Sequence, residues 1–302
     1  MSSAPVALFV YNRPLHTQRT IESLLKNYHA KDTDVVIFSD AAKTPEKDSD
    51  VRKVRQYINS MSGFKTVSIV EREKNYGLAN SIIDGVTSLC DEFGCVIVLE
   101  DDMVTSPFFL QYMNDALEYY CKYERVISIH GYVYPVRKIL PETFFLRGAD
   151  CWGWATWQRG WKYFNADGTY LLSKLRSLKL ARKFNYDDSF NYIRMLEDQI
   201  AGKNDSWAIR WHASAYLNDK LTLYPGQSLV DNIGNDSTGT HCSKNSSYEV
   251  KLCDAPIRVG GITVEDSDVG RDAFISYGRR KCSRRRIFVS KIGKLFTNLY
   301  RE

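Results

Sequence analysis

Short apolar runs alternate with segments of helical periodicity along the first 130 residues of the chain. Each apolar run ends in polar residues, as a buried strand does where it leaves a sheet. The runs predict five strands, at Val6–Tyr11, Asp34–Asp40, Thr66–Val70, Cys95–Leu99 and Val126–His130. The periodic segments predict four helices, at His16–Tyr28, Glu46–Met61, Leu78–Phe93 and from Ser106, with Pro107 at the first helical position, to about Tyr123. This alternation predicts an α/β fold with a mostly parallel sheet and helices on both faces.

The pattern becomes irregular from about Pro135 onward, and all six tryptophans lie between positions 152 and 211. Two helices are predicted there, over Asp188–Ala201 and Trp207–Asn218, whereas Gly226–Tyr248 is rich in Asn, Ser, Gly and Thr and predicts a loop. No linker rich in Pro, Gly or Ser divides the sequence, and no internal repeat occurs. The expected organisation is one domain with two halves and a tail, at residues 1–130, 131–278 and 279–302.

Three consecutive acids, Glu100, Asp101 and Asp102, follow the predicted fourth strand. Open parallel sheets bind ligands at the carboxyl ends of their strands, which is where this triplet falls. Three adjacent carboxylates repel one another, so a bound cation would offset that cost. Oxygen ligands suit Mg²⁺ or Mn²⁺, which take one or two carboxylates together with substrate phosphate oxygens. The triplet therefore predicts a metal and phosphate site, with a solvated acidic turn as the alternative.

Two common nucleotide-binding motifs are missing from the sequence. The first strand is not followed by Gly-x-Gly-x-x-Gly, and no Walker A sequence occurs, which disfavours a dinucleotide dehydrogenase and a P-loop enzyme. A nucleotidyltransferase would usually carry a Gly-rich, basic loop after strand one, and Tyr11–Pro14 stands there instead.

The segment LEDDMVTSPFFLQYM (Leu99–Met113) resembles the DxD-type segment of GT-A glycosyltransferases. It is most similar to the inverting N-acetylglucosaminyltransferase I family and its bacterial family 2-type relatives that build surface polysaccharides. Three more segments of the first half are similar to that group, VALFVYNRP (Val6–Pro14), FSD (Phe38–Asp40) and NYGLAN (Asn75–Asn80). The resemblance covers residues 4 to about 245. It implies a GT-A (Rossmann-like) fold, an acceptor-binding second half, and sugar transfer from a sugar nucleotide.

The resemblance implies a metal site at the acidic triplet. Asp102 would be the direct ligand of Mn²⁺ or Mg²⁺, while Asp101 and Glu100 would face the ribose and the water shell of the metal. His241 lies where many GT-A enzymes place a metal- or diphosphate-binding loop. The metal would neutralise the charge that develops when a diphosphate leaves.

The resemblance also implies a binding place for the nucleotide. Arg13 and Asp40 would hold the base, with Asp40 pairing with uracil, and Asn75 and Asn80 would lie beside the donor. Reading the residues alone leaves two alternatives open: a helix-start surface arginine for Arg13, and a turn aspartate for Asp40.

An inverting transfer needs a general base for the acceptor hydroxyl. The resemblance places this base in the segment Asp205-Ser206-Trp207, so Asp205 is the first candidate and Asp198 the second. An N-cap of the following helix is the alternative for Asp205. Trp152 and Trp154 lie in a Gly/Trp-rich segment where the resemblance expects acceptor binding. They would stack on sugar rings, or else they are core residues.

The net charge of +5 divides unevenly along the chain. Residues 279–302 hold nine bases and one acid, a charge of +8, so the remaining 278 residues, with 32 bases and 35 acids, carry −3. Apolar residues of the tail share one helical face, at Phe288, Ile292, Leu295, Phe296 and Leu299. A basic amphipathic helix of this kind predicts an interfacial anchor on an anionic membrane, with a helix packed on the body as the alternative.

The seven cysteines include no Cys-x-x-Cys pair, and no run of about 18 apolar residues occurs. These features favour a cytoplasmic protein, peripheral at the inner face of the cell membrane. Its expected partners are a UDP-sugar donor, a saccharide or lipid-linked saccharide acceptor and the membrane surface, but no nucleic acid.

The hypothesis is a metal-dependent, inverting glycosyltransferase of bacterial surface polysaccharide synthesis, transferring a hexose or N-acetylhexosamine. The alternatives are a nucleotidyltransferase on a related sheet, a non-catalytic glycan- or membrane-binding protein, and nucleic-acid binding through the tail.

Overall fold

A computed structural model describes residues 3–236 and 246–281. Four parallel strands, each but the last followed by a helix, build the first half. The strands are β1 (Val6–Val10), β2 (Asp34–Ser39), β3 (Thr66–Glu71) and β4 (Cys95–Glu100). The helices between them are α1 (Pro14–Leu25), α2 (Pro45–Asn59) and α3 (Leu78–Phe93). The predicted elements of this region are confirmed, with boundaries that move by up to three residues.

The second half completes the same sheet. After a short strand β5 (Met103–Thr105) and helix α4 (Phe109–Tyr119), the chain adds β6 (Val126–His130), β7 (Thr143–Arg147) and β8 (Trp154–Trp157). Five helices follow, α5 (Gln158–Trp161), α6 (Gly168–Ser177), α7 (Ala181–Phe184), α8 (Tyr192–Ile200) and α9 (Trp207–Leu217). The strands β9 (Leu221–Pro225) and β10 (Val230–Asn232) come next, and residues 268–281 form helix α10.

The eight-stranded sheet has the order β3-β2-β1-β4-β8-β6-β9-β7. β8 runs antiparallel to both of its neighbours, and β7 runs antiparallel to β9, so six strands share one direction. β5 and β10 form a separate antiparallel pair. The expected α/β fold with a mostly parallel sheet is thereby confirmed, and the sheet takes strands from both halves of the chain.

Helices cover both faces of this sheet because successive residues of its strands point to opposite sides. Along β1, Leu8 packs into the cluster that contains side chains of α1, α2 and α4, whereas Phe9 packs into the cluster built with α3, α5 and α9. Both residues are buried. The central strands are thus buried on both faces, as their continuous apolar runs indicate.

Three predicted boundaries after β4 are wrong, each for a local reason. The helix expected from Ser106 begins at Phe109, because the Ser106 hydroxyl donates to the Cys253 carbonyl and accepts from the Phe108 amide. The helix expected from Asp188 begins at Tyr192, because residues 186–188 all have positive φ and cannot continue an α-helix. The loop expected over 226–248 contains β10, which pairs with β5.

Helix α10 packs on the body through its apolar face. Phe274 and Ile275 are buried against Phe144 and Tyr224 of the β7–β9 edge. Of the predicted basic tail, only residues 279–281 belong to the described part of the chain, and the predicted amphipathic face lies outside it. No helix within the described ranges is long and apolar enough to cross a membrane.

Candidate active site

The acidic triplet stands at the carboxyl end of β4, in the middle of the sheet. Glu100 closes the strand, and Asp101 and Asp102 form the turn into β5. Two hydrogen bonds to backbone carbonyls fix this turn. The Thr20 hydroxyl donates to the Asp101 carbonyl at 2.9 Å, and the Ile233 amide donates to the Asp102 carbonyl at 2.9 Å. The triplet is thereby held between helix α1 and the segment after β10, as a rigid part of the fold.

Burial and mutual repulsion act strongly on these carboxyl groups. Burial raises the pKa of Asp101 to about 7; the neighbouring Asp102 adds to this rise and Arg13 opposes it. Burial also raises the pKa of Glu100 well above its usual range, again with Asp102 and Asp101 contributing. Three carboxylates crowded in a poorly hydrated place need a counter-charge, as the sequence predicts.

Arg13 supplies that counter-charge in the structure. Its Nη1 atom lies 2.8 Å from Oδ2 of Asp102 and 3.5 Å from Oδ1 of Asp101. The side chains of Arg13 and Asp102 are only 14% and 13% exposed. Arg13 therefore belongs to the acidic site, and its contact with a nucleotide base stays a prediction. The alternative of a free surface arginine is excluded by this pairing.

The site fits a divalent cation that shares its ligands with a substrate. Within the described residues, no three His, Cys, Asp or Glu side chains are grouped to hold a metal ion by themselves. The Oδ1 atom of Asp102, however, is buried and lacks a hydrogen-bond partner. One such carboxylate oxygen is the kind of protein ligand that Mg²⁺ or Mn²⁺ uses beside phosphate oxygens. Asp102 therefore fits the predicted ligand, and His241 lies outside the described residues.

The chain after β10 packs against the Asp102 side chain at Gly234. A Cβ atom added to Gly234 would stand 2.0 Å from Oδ2 of Asp102 and 3.0 Å from Nη2 of Arg13. Nearby, Nε2 of His16 lies 3.0 Å from Oδ2 of Asp236. A glycine is thus required at position 234, since any larger residue would occupy the place of the carboxylate.

Asp40 lies at the carboxyl end of β2, where its carboxylate organises a turn. Oδ1 accepts from the amides of Ala41 and Tyr76 at 2.9 and 2.8 Å. Oδ2 accepts from the Gly77 amide at 2.9 Å and from Asn75 Nδ2 at 3.0 Å. A carboxylate offers about four acceptor positions, and these four protein donors use them. Asp40 therefore positions the turn that starts α3, and its pairing with uracil stays a prediction.

Asn75 and Asn80 lie in and after this turn. Asn75 also donates to the Ala41 carbonyl at 2.7 Å, and the exposed Asn80 donates to the Tyr76 carbonyl at 2.9 Å. The Asn75 contact reinforces the link between the end of β2 and the start of α3, whereas the Asn80 contact stays within the start of α3.

Arg72 is a further residue of this edge, and the sequence marks it only by its position directly after β3. Its guanidinium stacks on the Tyr76 ring, with 4.4 Å between the guanidinium carbon and the ring centroid, and pairs with Asp84. Its Nε atom is buried without a hydrogen-bond partner. Arg72 thus adds a cation with a free donor to the edge that carries Asp40 and the acidic triplet.

Asp205 approaches the same turn from the second half. A Cβ atom on Gly77 would lie 3.9 Å from its Oδ2 atom. The Asp205 side chain is 62% exposed and stands 3.6 Å from Nη2 of Arg210. Helix α9 is capped by Ser206, whose side chain accepts from the Ile209 amide. The N-cap alternative for Asp205 is therefore wrong, and its carboxylate remains available at the edge of the donor side.

Asp198, the second candidate base, has a different environment. It lies on α8, where Oδ1 is 3.2 Å from Arg194 Nε and 3.5 Å from Lys203 Nζ. Both partners are exposed, so this is a surface ion-pair group. The structure brings Asp205 to the Gly77 turn, and it gives Asp198 no such contact among the described interactions.

The two candidate sugar-stacking tryptophans have opposite environments. Trp154 is fully buried, with the rings of Trp161, Trp207 and Trp211 between 5.4 and 6.0 Å away. It offers no ring face to a sugar, so its assignment to acceptor binding is corrected to a core role. Trp152 is half-buried, 4.8 Å from the Tyr132 ring and 5.2 Å from the Tyr248 ring.

The mostly parallel sheet with helices on both of its faces and carboxylates at the end of β4 is consistent with a GT-A fold. The chain belongs to glycosyl transferase family 2, since the sequence profile of that family matches residues 6–169, more than half of its length. The family match establishes a glycosyltransferase. The finer resemblance to N-acetylglucosaminyltransferase I stays a prediction.

Solved structures give similarities at low identity. The mannosyltransferase PcManGT from Pyrobaculum calidifontis, in complex with GDP-Man and Mn²⁺, is 16% identical with a TM-score of 0.30, over 43% of this chain and 35% of that one. S. aureus TarS 1–349 is 10% identical with a TM-score of 0.41, over 75% of this chain and 59% of that one. The chain thus spans less than two thirds of each of these structures, and TM-scores below 0.5 carry no argument about function. Comparison with the curated proteins gives no match.

Proposed function

We propose that this family 2 glycosyltransferase moves a sugar from a UDP-sugar to a saccharide hydroxyl, with a divalent cation and with inversion at the anomeric carbon. The observation that carries the proposal is Asp102. It combines a buried, unpartnered Oδ1 atom with a place at the carboxyl end of β4, the edge where parallel sheets bind nucleotides.

Charge balance supports the donor side of this proposal. Asp102 holds Mn²⁺ or Mg²⁺, with Asp101 and Glu100 beside it. The metal supplies positive charge that stabilises the leaving diphosphate. Arg13, which lies on Asp102 and Asp101, is positioned to donate hydrogen bonds to a phosphate through its buried, unpartnered Nε and Nη2 atoms. Uridine as the base rests on the sequence resemblance alone.

Asp205 is the general base of the proposed reaction. The acceptor hydroxyl oxygen forms a bond to the anomeric carbon, the bond from that carbon to the diphosphate oxygen breaks, and the hydroxyl proton passes to the Asp205 carboxylate. A single displacement of this kind inverts the configuration. Its supports are the exposure of Asp205, the capping of α9 by Ser206, and the place of Oδ2 beside Gly77.

We place the reaction at the cytoplasmic face of a bacterial membrane, with a lipid-linked saccharide as acceptor in surface polysaccharide synthesis. The support is the +8 charge of residues 279–302, since each base near an anionic surface contributes about 1 kcal/mol. The helix α10 leads from the packed body directly into this basic segment.

Nucleotide binding tests the donor side. UDP together with Mn²⁺ should raise the unfolding temperature, because a ligand that binds the native state stabilises it. GDP, or UDP with the metal chelated, should raise it less. The Asp102→Ala variant should lose the metal-dependent part of this shift. If UDP stabilises the wild type equally with and without metal, the metal site is wrong. If GDP is preferred, the choice of uridine is wrong.

Product formation tests the base. We expect Asp205→Asn to keep UDP binding and to lose transfer by about 10²- to 10⁴-fold, the usual contribution of general base catalysis. Asp198→Asn is the matched control and should retain transfer. If Asp205→Asn transfers sugar at the wild-type rate, or if Asp198→Asn alone is inactive, the assignment is wrong.

A further inference from the structure

Asp150 is a carboxylate in the loop between β7 and β8 that the proposed reaction does not use. Its side chain is 26% exposed, and its Oδ1 atom accepts a hydrogen bond from the Cys151 amide at 2.9 Å. The nearest cationic candidate among the described residues is His130, with Nε2 at 4.0 Å. That Nε2 atom accepts from the Trp152 amide at 3.0 Å, and burial lowers the pKa of His130, so the imidazole is neutral. Among the described residues, the half-buried Asp150 carboxylate therefore pairs with no Lys or Arg, and its histidine neighbour is neutral.

Aromatic side chains surround this carboxylate. Trp152, Tyr134, Tyr192 and Tyr248 are all half-buried, so part of each reaches the surface. The Trp152 and Tyr248 rings are 5.2 Å apart, and Phe190 joins Tyr134 and Tyr192 at 5.6 and 5.2 Å. The negative charge of Asp150 contributes to raising the pKa of both the Tyr134 and the Tyr192 hydroxyl, after burial. The carboxylate thus faces a group of aromatic rings.

This group adjoins the acidic site. Cys151, next to Asp150, lies close enough to both sites that burial, Asp150, Glu100 and Asp102 all raise the pKa of its thiol. The same loop packs on the end of β4, since a Cβ atom on Gly153 would be 3.4 Å from Leu99 and 2.6 Å from Val230. A molecule lying against Asp150 and Trp152 is therefore next to the carboxyl end of β4.

Segment 246–248 closes one side of the group. The Tyr132 hydroxyl donates to the Tyr248 carbonyl at 2.9 Å, which holds the Tyr248 ring against Trp152. At the end of α10, Lys281 Nζ lies 3.8 Å from the centroid of the Tyr248 ring. The group of aromatic rings is thus built from three distant parts of the chain, and the hydrogen bond from the Tyr132 hydroxyl to the Tyr248 carbonyl fixes it.

We propose that Asp150 and Trp152 form the subsite for the acceptor saccharide, with Asp150 accepting hydrogen bonds from sugar hydroxyls and Trp152 and Tyr248 contacting the C–H face of the ring. This inference rests on the proposed function and names its acceptor-binding residues. A half-buried carboxylate needs hydrogen-bond donors to offset its lost hydration, and sugar hydroxyls provide them. Aromatic side chains provide the apolar surface that such sites use beside a few polar groups.

Saturation-transfer NMR on the full chain loaded with UDP and Mn²⁺ tests the subsite. The probes are the methyl glycosides of glucose, galactose, N-acetylglucosamine and glucosamine. At least one neutral glycoside should bind, and Asp150→Asn should weaken it about tenfold, the loss expected for a hydrogen bond to a charged group. Trp152→Phe should weaken it as well. Asp198→Asn is the matched control, since Asp198 is 29% exposed and lies in surface ion pairs.

Three results would overturn the subsite: equal affinity in Asp150→Asn and wild type, no saturation transfer from the UDP-bound protein to any neutral glycoside, or binding of methyl glucosaminide alone, which indicates a cation site. Thermal unfolding of each variant shows whether it is folded. If Asp150→Asn does not fold, Trp152→Phe provides the second test. Failure of the wild type to bind UDP would instead contradict the proposed donor side.

Discussion

Nη1 of Arg13 lies 2.8 Å from Oδ2 of Asp102, across 89 positions of sequence. The arginine comes directly before α1 and the aspartate is the second residue after β4, so the contact joins the segments that follow two adjacent strands. It places one positive charge against the acidic triplet. A divalent cation that binds Asp102 must therefore share or replace the arginine as the partner of this carboxylate.

Removing this internal cation should make the protein depend more on metal. We expect Arg13→Met to lower the free energy of unfolding by about 1–3 kcal/mol, because buried carboxylates lose their charged partner. Millimolar Mn²⁺ without nucleotide should then raise the unfolding temperature of the variant more than that of the wild type. Arg13→Lys keeps the charge and is the control. Equal responses of Arg13→Met and wild type to Mn²⁺ would show that Arg13 and the metal do not share a site.

Gly77 and Gly94 lie at the two ends of α3, and both have positive φ, +73° and +79°. Because ψ is 158° at Gly77, a region that only glycine normally adopts, and −19° at Gly94, alanine should lower stability at both positions and more at Gly77. Only Gly77 donates its amide to Asp40 and points toward Asp205. We expect Gly77→Ala to weaken UDP binding and Gly94→Ala to leave it unchanged, as measured by calorimetric titration. Equal affinities in the two variants would separate this turn from the donor site.

Trp152 and Trp154, two of the three tryptophans in residues 151–157, should respond differently to truncation. Trp154→Ala removes a fully buried ring and should cost about 3–5 kcal/mol of unfolding free energy in urea. Trp152→Ala removes a half-buried ring and should cost less, while it impairs transfer to the acceptor. The core assignment of Trp154 fails if its truncation is the milder of the two.

Local patterns predict most strands and helices between Val6 and His130, because each of these follows its own periodicity, but they miss the short strand β5 and start α4 three residues too early. The insertion of β8 between β4 and β6 escapes such reading, since it depends on pairing residues far apart in sequence. The acidic triplet is visible because its three members are adjacent. The sequence does not show that the Asp40 carboxylate accepts four hydrogen bonds, because two of its donors are backbone amides of a turn 36 and 37 positions away.

The same limit applies to tryptophan. Trp152 and Trp154 have the same residue type and nearly the same position, and only the alignment of β8 decides which ring enters the core. Asp150 was also missed, because its aromatic surroundings come from three distant segments.

The basic tail should act separately from the nucleotide site. Deleting residues 282–302 should release the protein from anionic vesicles in a co-sedimentation assay and leave UDP binding intact. This boundary is preferable to residue 278, because Lys281 contacts Tyr248 and α10 belongs to the packed body. Neutral vesicles are the control, since the attraction depends on anionic lipid. If the truncated protein still binds anionic vesicles, the membrane-binding surface lies on residues 1–281 and the proposed role of the tail is wrong.

Two buried histidines should make stability fall in mild acid. Burial lowers the pKa of His212 and of His130, so both are neutral in the folded state at pH values where the unfolded chain already binds protons. The unfolded state then binds more protons than the folded state below about pH 6.5, the unperturbed value. Stability is therefore present above that pH and is lost as pH falls, by at most about 1.4 kcal/mol per pH unit for each histidine. Urea unfolding between pH 7.5 and 5.5 measures this slope.

The test compares the slope in His212→Gln with that in the wild type. His212 lies inside α9, with Nδ1 2.7 Å from the Ala149 carbonyl oxygen, and glutamine removes its titration. We expect a smaller loss of stability on acidification in this variant, even if its stability at pH 7.5 is lower. His29→Asn is the control, because the His29 side chain is half exposed and asparagine tolerates its positive φ. An unchanged slope in His212→Gln, or an equally reduced slope in His29→Asn, would show that burial of His212 does not control the acid sensitivity of the fold.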